Sequence, residues 1–567
     1  MDVPSDFSYL HTPAVQPFIY STVDRVAGVN ARLRPNQELF ILRELDGSRS
    51  SLTNSSLYKQ AEHLARYLAS QGITKGDMVA LVGPNTLEMV VGTLGILLAG
   101  AAVLNCTINT KTAQDQKKLL ELTKAKCILA DRGKDSCLLS PIKAMLDHCN
   151  VQTDDRTGDD QIKVIFLRKT DLEGFKMTDT LPKILSQDMK KVELPNVAPE
   201  DPAIIFTTSG STGIPKMVLH SHYSLASYPF SWIPTAVNYE IVVYNDRPFS
   251  WIGGSPVLSI LRSMPRVFMD ASITMNGKNA YFLWNVIKEE LCTDALFFPH
   301  IIQDLLQLAP GVTEDGFRLN HISTGGQIVD NLYTRVNDRF CHAVVVVYGC
   351  TEVVPIAARG PVVQGELLQA GDVGVPFSGV EIRIVDTQEN PIPLDTVGKV
   401  QVRSPYSMKC YFANENLTKD VFTEERWFRT GDVGKISGGH LTIMGRETDA
   451  ISRGTRKIYP GMLEYLIKQM EFVKDVCIVA VPDKRLYEEI CVCFTTSVKL
   501  TPDDVQQYCQ QNLFTTSTVD GLGEMPTYFL LFEEFPKLNN GKPDKRAVAT
   551  EATVRLGLTK ERELQGV

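Results

Sequence analysis

The chain predicts an α/β protein with a large N-terminal domain of parallel-sheet α/β subdomains, a small β-rich part, and a small α+β C-terminal domain. Three observations carry this. Apolar β-branched runs alternate with helical patterns from about residue 40, the pattern of a parallel sheet covered on both faces. From about 375 the texture turns to short alternating strands, and after about 448 a final block carries its own helix and strands. The length, 567 residues, accommodates several domains of roughly 100–200 residues each. The expected divisions are an extension over 1–35, the main domain over 36–447 with its β-rich part at about 375–447, and a terminal domain over 448–567.

Each element has a local cause. Residues 55–71 place Leu57, Ala61, Leu64, Ala65 and Leu68 on one helical face. Gly76-Asp77 turns the chain into a buried strand, Met78 to Val82. The apolar run from Met89 to Leu104 holds Thr93 and glycines, and falls short of the ~20 apolar residues of a membrane span. It reads as a buried helix entering a strand at Gly100. Cys127 to Ala130 and Lys163 to Phe166 repeat the strand pattern, as does Ala343 to Val347. Val380 to Val385 and Lys399 to Arg403 alternate like half-exposed strands. In the last block, 461–469 reads as a helix and 476–481 and 490–495 as strands.

Composition excludes several classes. Hydrophobic residues make up 44% and charged residues 22%, which rules out disorder as the main state. The net charge of −8 argues against a general binder of nucleic acid or anionic membranes. The 12 cysteines are scattered without a Cys-x-x-Cys, so zinc-ribbon and thioredoxin readings fail and a reducing compartment fits. The first residues match neither a secretory signal nor an Arg-rich transit peptide, so the expected location is cytoplasmic.

The densest chemical signal is Thr207-Thr208-Ser209-Gly210-Ser211-Thr212-Gly213-Ile214-Pro215-Lys216, set between a strand and an expected helix. Glycines admit backbone N–H groups to an anion, hydroxyls add donors, and lysine adds charge. The spacing is not that of a Walker loop. Further along stand Ser323-Thr324-Gly325-Gly326-Gln327, Tyr348-Gly349-Cys350-Thr351-Glu352, Phe428-Arg429-Thr430-Gly431-Asp432, the stretch from Gly445-Arg446 through Thr448 to Arg453-Gly454, and Pro536 to Lys542. A carboxylate such as Glu352 suits a hard cation, and an ionised Asp432 can accept from two hydroxyls.

In order and spacing these segments resemble the motifs of the adenylate-forming superfamily, which includes acyl-CoA synthetases, firefly-type luciferases and the adenylation domains of peptide synthetases. The resemblance covers nearly the whole chain. It implies a mobile C-terminal domain and an ATP-dependent acid–thiol ligase that uses ATP, Mg²⁺ and CoA and releases AMP and pyrophosphate. ATP would be held by Thr207, Thr208, Ser209, Gly210, Ser211, Thr212, Gly213, Lys216, Gly325, Gly326, Gln327, Tyr348, Gly349, Asp432 and Arg446. Lys542, Thr351 and Glu352 would be catalytic, with Mg²⁺ on Glu352 and Thr208 as a further ligand. Thr448 would be the hinge, where the family usually carries Asp or Lys. Arg453 and Gly454 would line the CoA channel.

Trp251, Gly253, Gly254 and Cys350 are expected at the acyl pocket, with Trp251 where many members carry histidine. No aspartate lies between Phe249 and Arg262 to hold an α-amine, which argues against an amino-acid substrate. A medium-chain fatty acid is the first expectation and an aryl acid of the cinnamate type the second. The alternatives are another acceptor (a carrier protein, an amine or oxygen) or an acyl-nucleotide binding protein without catalysis. His220-Ser221-His222 reads as structural rather than as a metal pair.

Overall fold

The computed structural model describes residues 7–14, 17–106, 113–132, 162–168, 179–208, 215–227, 240–274, 279–329, 334–454, 456–512, 525–537 and 542–558. Its described strands form sheets of 14, seven and five strands. In the seven-stranded sheet, Met78–Val82, Ala102–Cys106, Cys127–Ala130, Lys163–Phe166 and Pro202–Thr208 run parallel. All five residues of Met78–Val82 are buried, as expected of a strand covered on both faces.

The first helix of this unit shows how sequence sets its bounds. Thr53 and Ser56 form a reciprocal capping box, so the helix starts at Asn54 and runs to Ser70. The five apolar residues read from the sequence are all buried. The next helix, Leu87–Leu98, crosses it so closely that a Cβ on Gly95 would stand 2.8 Å from a Leu64 methyl. Gly100 then takes φ +74°, a left-handed turn into Ala102–Cys106. No described helix is long and apolar enough to cross a membrane.

The 14-stranded path joins a parallel half to an antiparallel half. Leu319–Gly325 runs parallel to Cys341–Tyr348, and Ala357–Val363 turns the ladder antiparallel. Asp372–Pro376 carries it on to His440–Arg446, so the β-rich part hydrogen-bonds directly to the α/β sheet. The first 35 residues also contribute: Tyr9–His11 pairs with Glu381–Arg383, and Val23–Leu33 is a helix with Val23 and Ala27 buried.

The segment after the phosphate-loop candidate departs from expectation. Lys216–Ser221 is a strand, not a helix, and pairs antiparallel with Pro202–Thr208 in register Thr208↔Lys216. Met217, Val218 and Leu219 are buried here, and a six-residue segment with three consecutive apolar residues completes a hairpin more readily than a helix. The five-stranded sheet belongs to the C-terminal block, between helices Pro460–Lys468 and Lys545–Arg555. Within it Cys491 and Cys493 lie with their sulfurs 3.9 Å apart, and the described cysteines are free thiols.

Candidate active site

The parallel strands Leu319–Gly325 and Cys341–Tyr348 deliver two of the predicted segments side by side. Gly325 pairs with Val347 across the ladder, and a Cβ on Gly325 would come within 2.0 Å of the Val347 carbonyl oxygen. Only glycine permits this approach. Gly326 takes φ +92° and is exposed together with Gln327. Beyond Tyr348, Gly349 leads into a turn closed by mutual backbone bonds between Cys350 and Val353, and Thr351 and Glu352 form its tip.

Asp432 sits on the strand Phe428–Ser437, whose neighbour His440–Arg446 places Arg446 directly opposite it. Arg446 Nε lies 2.8 Å from Asp432 Oδ1, while the Tyr348 hydroxyl donates to Oδ2 at 2.5 Å. Burial pushes the Asp432 carboxyl upward in pKa, against the pull of Arg446. Lys542 arrives from the C-terminal block and donates to the Gly326 carbonyl at 2.5 Å. Its chain keeps contact with solvent, but desolvation around the ammonium, with Arg446 and Arg247 nearby, lowers its pKa. Tyr348, Gly326, Asp432, Arg446 and Lys542 thus come together from separate stretches of sequence.

A second chain of contacts reaches Glu352. The Tyr411 hydroxyl donates to Glu352 Oε1 at 2.5 Å, and the Lys216 ammonium lies 5.3 Å from the centroid of the Tyr411 ring. His220 is buried, and its Nε2 stands 2.8 Å from the Thr351 carbonyl oxygen. A carbonyl only accepts, so the proton is on Nε2. Burial holds His220 at about 4, so it is neutral near pH 7. His222 instead accepts from the Val23 N–H at 3.2 Å through Nδ1, so the two histidines do not converge on a metal. No group of three or more His, Cys, Asp or Glu arranged for a metal occurs among the described residues. Glu352 as a single carboxylate still fits Mg²⁺ that is carried in on phosphate oxygens and water.

Trp251 packs edge-on to Phe298 at 5.6 Å. Gly253 and Gly254 end a short 3-10 turn, pinned by Asn245 on the Gly253 carbonyl and Arg266 on that of Gly254. Thr207 and Thr208 lie at the end of their strand, whereas Ser209, Gly210, Ser211, Thr212 and Gly213 fall outside the described residues. Thr448 is exposed in a 3-10 turn immediately after Arg446. Arg453 is held by Glu489 at 2.9 Å, and the Gly454 N–H donates to the Leu486 carbonyl. Neither of these bonds reaches the Asp432–Lys542 cluster.

Three site neighbours were not picked out from sequence: Tyr411, Arg247 and, as a support of Thr351, His220. The partner of Tyr411 is 59 positions away. Such long-range pairing leaves no local periodicity.

Gly325, Tyr348 and Arg446 end their strands, and the chain that carries them is an α/β protein whose class the family match gives. The chain belongs to the family described as AMP-binding enzyme, which matches residues 29–412. Among curated relatives, the medium-chain acyl-CoA ligase ACSF2, mitochondrial, of Danio rerio is 24% identical, covering 97% of this chain and 91% of its own. The long-chain-fatty-acid–CoA ligase FadD13 of Mycobacterium tuberculosis is 26% identical over 87% of this chain and 91% of its own. Among solved structures, the anthranilate CoA ligase AuaEII in complex with anthranoyl-AMP shares the fold at TM-score 0.80 and 16% identity, over 96% of this chain and 99% of its own. The amide bond synthetase McbA of Marinactinospora thermotolerans does so at TM-score 0.76 and 21% identity, over 93% and 99%.

Proposed function

We propose that the protein is an ATP-dependent acid–thiol ligase: it adenylates a carboxylic acid and passes the acyl group to CoA. The observation that carries this reading is the Lys542 ammonium on the Gly326 carbonyl, beside the Asp432–Arg446 pair. A lysine from the far end of the chain stands where negative charge would develop, next to a carboxylate able to accept ribose hydroxyls. The named activities of the relatives, acid–CoA ligation on medium-chain and long-chain acids, support the same reading.

In the first step a carboxylate oxygen of the acid bonds to the α-phosphorus of ATP and the bond to pyrophosphate breaks. Lys542 stabilises the developing charge, an electrostatic contribution of the oxyanion-hole kind. Tyr348 packs at the base, and Asp432 and Arg446 hold ribose and phosphate. Thr207, Thr208 and Lys216 flank the triphosphate. Glu352 would hold Mg²⁺, with Thr208 in reach of its shell, and the ion would offset phosphate charge. In the second step the CoA thiol attacks the acyl carbonyl carbon and AMP leaves with the electron pair. Rotation about Thr448 would withdraw Lys542 and bring Arg453 and Gly454 forward.

The test is pyrophosphate release from Mg-ATP with a panel of carboxylic acids, medium-chain fatty acids first, with and without CoA. CoA-dependent thioester with one acid class is the expected result. Release that ignores CoA would transfer the reading to another acceptor, and no release with any acid would overturn it.

A further inference from the structure

The turn that carries Thr351 and Glu352 follows a strand of the 14-stranded sheet, yet it is gripped from the seven-stranded one. Cys410 and Tyr411 form the edge strand of that second sheet. They pair with Leu219 and Val218 of Lys216–Ser221, the strand that leaves the phosphate-loop candidate. Three bonds run from this edge to the turn. His220 Nε2 donates to the Thr351 carbonyl at 2.8 Å, the Met408 N–H donates to the Glu352 carbonyl at 2.7 Å, and the Tyr411 hydroxyl donates to Glu352 Oε1 at 2.5 Å. The first two fix the backbone of the turn. Only the third acts on the carboxylate.

Tyr411 is itself held in place. It is buried, its N–H donates to Thr418 Oγ1 at 3.0 Å, and the Lys216 ammonium lies 5.3 Å from its ring centroid. Glu352, by contrast, is half-buried, and among the described residues its Oε2 takes no donor. That oxygen is left for a cation. A glutamate side chain loses rotamer freedom when it meets a metal, and a hydroxyl that already fixes it removes most of that loss. The same two paired strands present Lys216, so a phosphate-binding charge and the support of the metal carboxylate are aligned from one edge.

We propose that Tyr411 is a positioning residue whose hydroxyl presets the Glu352 carboxylate for the divalent cation that arrives on the nucleotide phosphates. This rests on the acid–thiol ligase reading, in which Glu352 would hold Mg²⁺, and it adds the residue that orients that ligand. Tyr411 acts through Glu352 and touches neither nucleotide nor acid in this role. Hydrogen-bond partners of ligating side chains matter about ten- to hundredfold in metal affinity.

The experiment measures equilibrium binding of ATP to the full-length protein by calorimetry, without any acid, once with Mg²⁺ and once with EDTA. The ratio of the two affinities is the gain due to the metal. In Tyr411→Phe, which keeps the ring and its contact with Lys216, that gain should fall by about tenfold, while the affinity in EDTA stays within about twofold of wild type. In a Glu352→Gln background the gain is already lost, so adding Tyr411→Phe should change nothing further. The same gain in Tyr411→Phe as in wild type overturns the proposal. So does an equal loss of affinity with and without Mg²⁺, which is the mark of a merely structural tyrosine. An undiminished effect of Tyr411→Phe in the Glu352→Gln background overturns it too, as does a wild type that gains nothing from Mg²⁺. Failure of the ligase reading has its own signature, no pyrophosphate with any acid, and the binding ratios then still decide for or against Tyr411.

Discussion

The Lys542 ammonium and the Gly326 carbonyl oxygen meet at 2.5 Å across 216 positions of sequence. The bond orients a cation whose role in the proposed reaction is confined to adenylation. Lys542→Ala should lower adenylation by about a hundredfold or more, the scale seen when one preorganised donor is removed. Thioester formation from supplied acyl-adenylate should survive. The sign with pH comes from the lowered pKa: the ammonium loses its proton sooner than an ordinary lysine, so the adenylation rate falls on the alkaline side before that of the thioester step. Parallel loss of both half-reactions in Lys542→Ala would refute the division of labour.

Asp432 takes one cation and one hydroxyl on its two oxygens, from Arg446 and Tyr348. Asp432→Asn keeps the size and loses the charge. Hydrogen bonds to charged groups contribute about 1.5–3 kcal/mol, so the KM for ATP should rise roughly ten- to hundredfold. Nucleotide titration by calorimetry checks this, and an unchanged affinity would remove Asp432 from the site.

Gly325→Ala probes the approach of two strands rather than a ligand. The added methyl would meet the Val347 carbonyl oxygen at 2.0 Å, and backbone cannot swing aside as a side chain can. Separation of the ladder just before Tyr348 should cost about 1–3 kcal/mol, seen as a lower midpoint in urea. Gly326→Ala, whose added Cβ would meet no atom within 4 Å but where φ is +92°, should act through backbone strain alone. Equal midpoints for wild type and Gly325→Ala would contradict the steric account.

Acid should unfold the protein partly through two histidines. Burial holds both His220 and His222 at about 4, against an ordinary value of 6.5. Between these values the unfolded chain binds more protons, so stability falls as pH drops from about 6.5 to about 4 and loses nothing further through these groups below that. The combined effect is on the order of a few kcal/mol. His220→Gln, which can still donate to the Thr351 carbonyl, should show a shallower loss of Tm from pH 7 to pH 5. An unchanged slope would count against the burial argument.

Regular elements were legible in the sequence because their causes are local. The apolar face from Leu57 to Leu68 and the turn at Gly100 each arise from a few neighbouring residues. The motif residues Tyr348, Asp432, Arg446 and Lys542 were legible as a set by resemblance, and the fold brings them together. The strand after the phosphate loop was misread, because an apolar run as short as Met217 to Leu219 fits helix or strand until its hairpin partner is known. Tyr411 and Arg247 escaped because their partners, Glu352 and Phe297, are fixed only by how distant strands meet.

Asp432 and Arg446 form a single rung of the ladder between two neighbouring strands, and the exposed turn at Thr448 begins just past it. A rotation that starts beyond Arg446 leaves that rung, and whatever it grips, in place. The adenylate could then stay bound while the lysine that made it departs and the thiol arrives. Loss of a reactive intermediate to hydrolysis would be limited by the stiffness of a β-ladder, and the speed of the exchange would be set by the softer turn beside it.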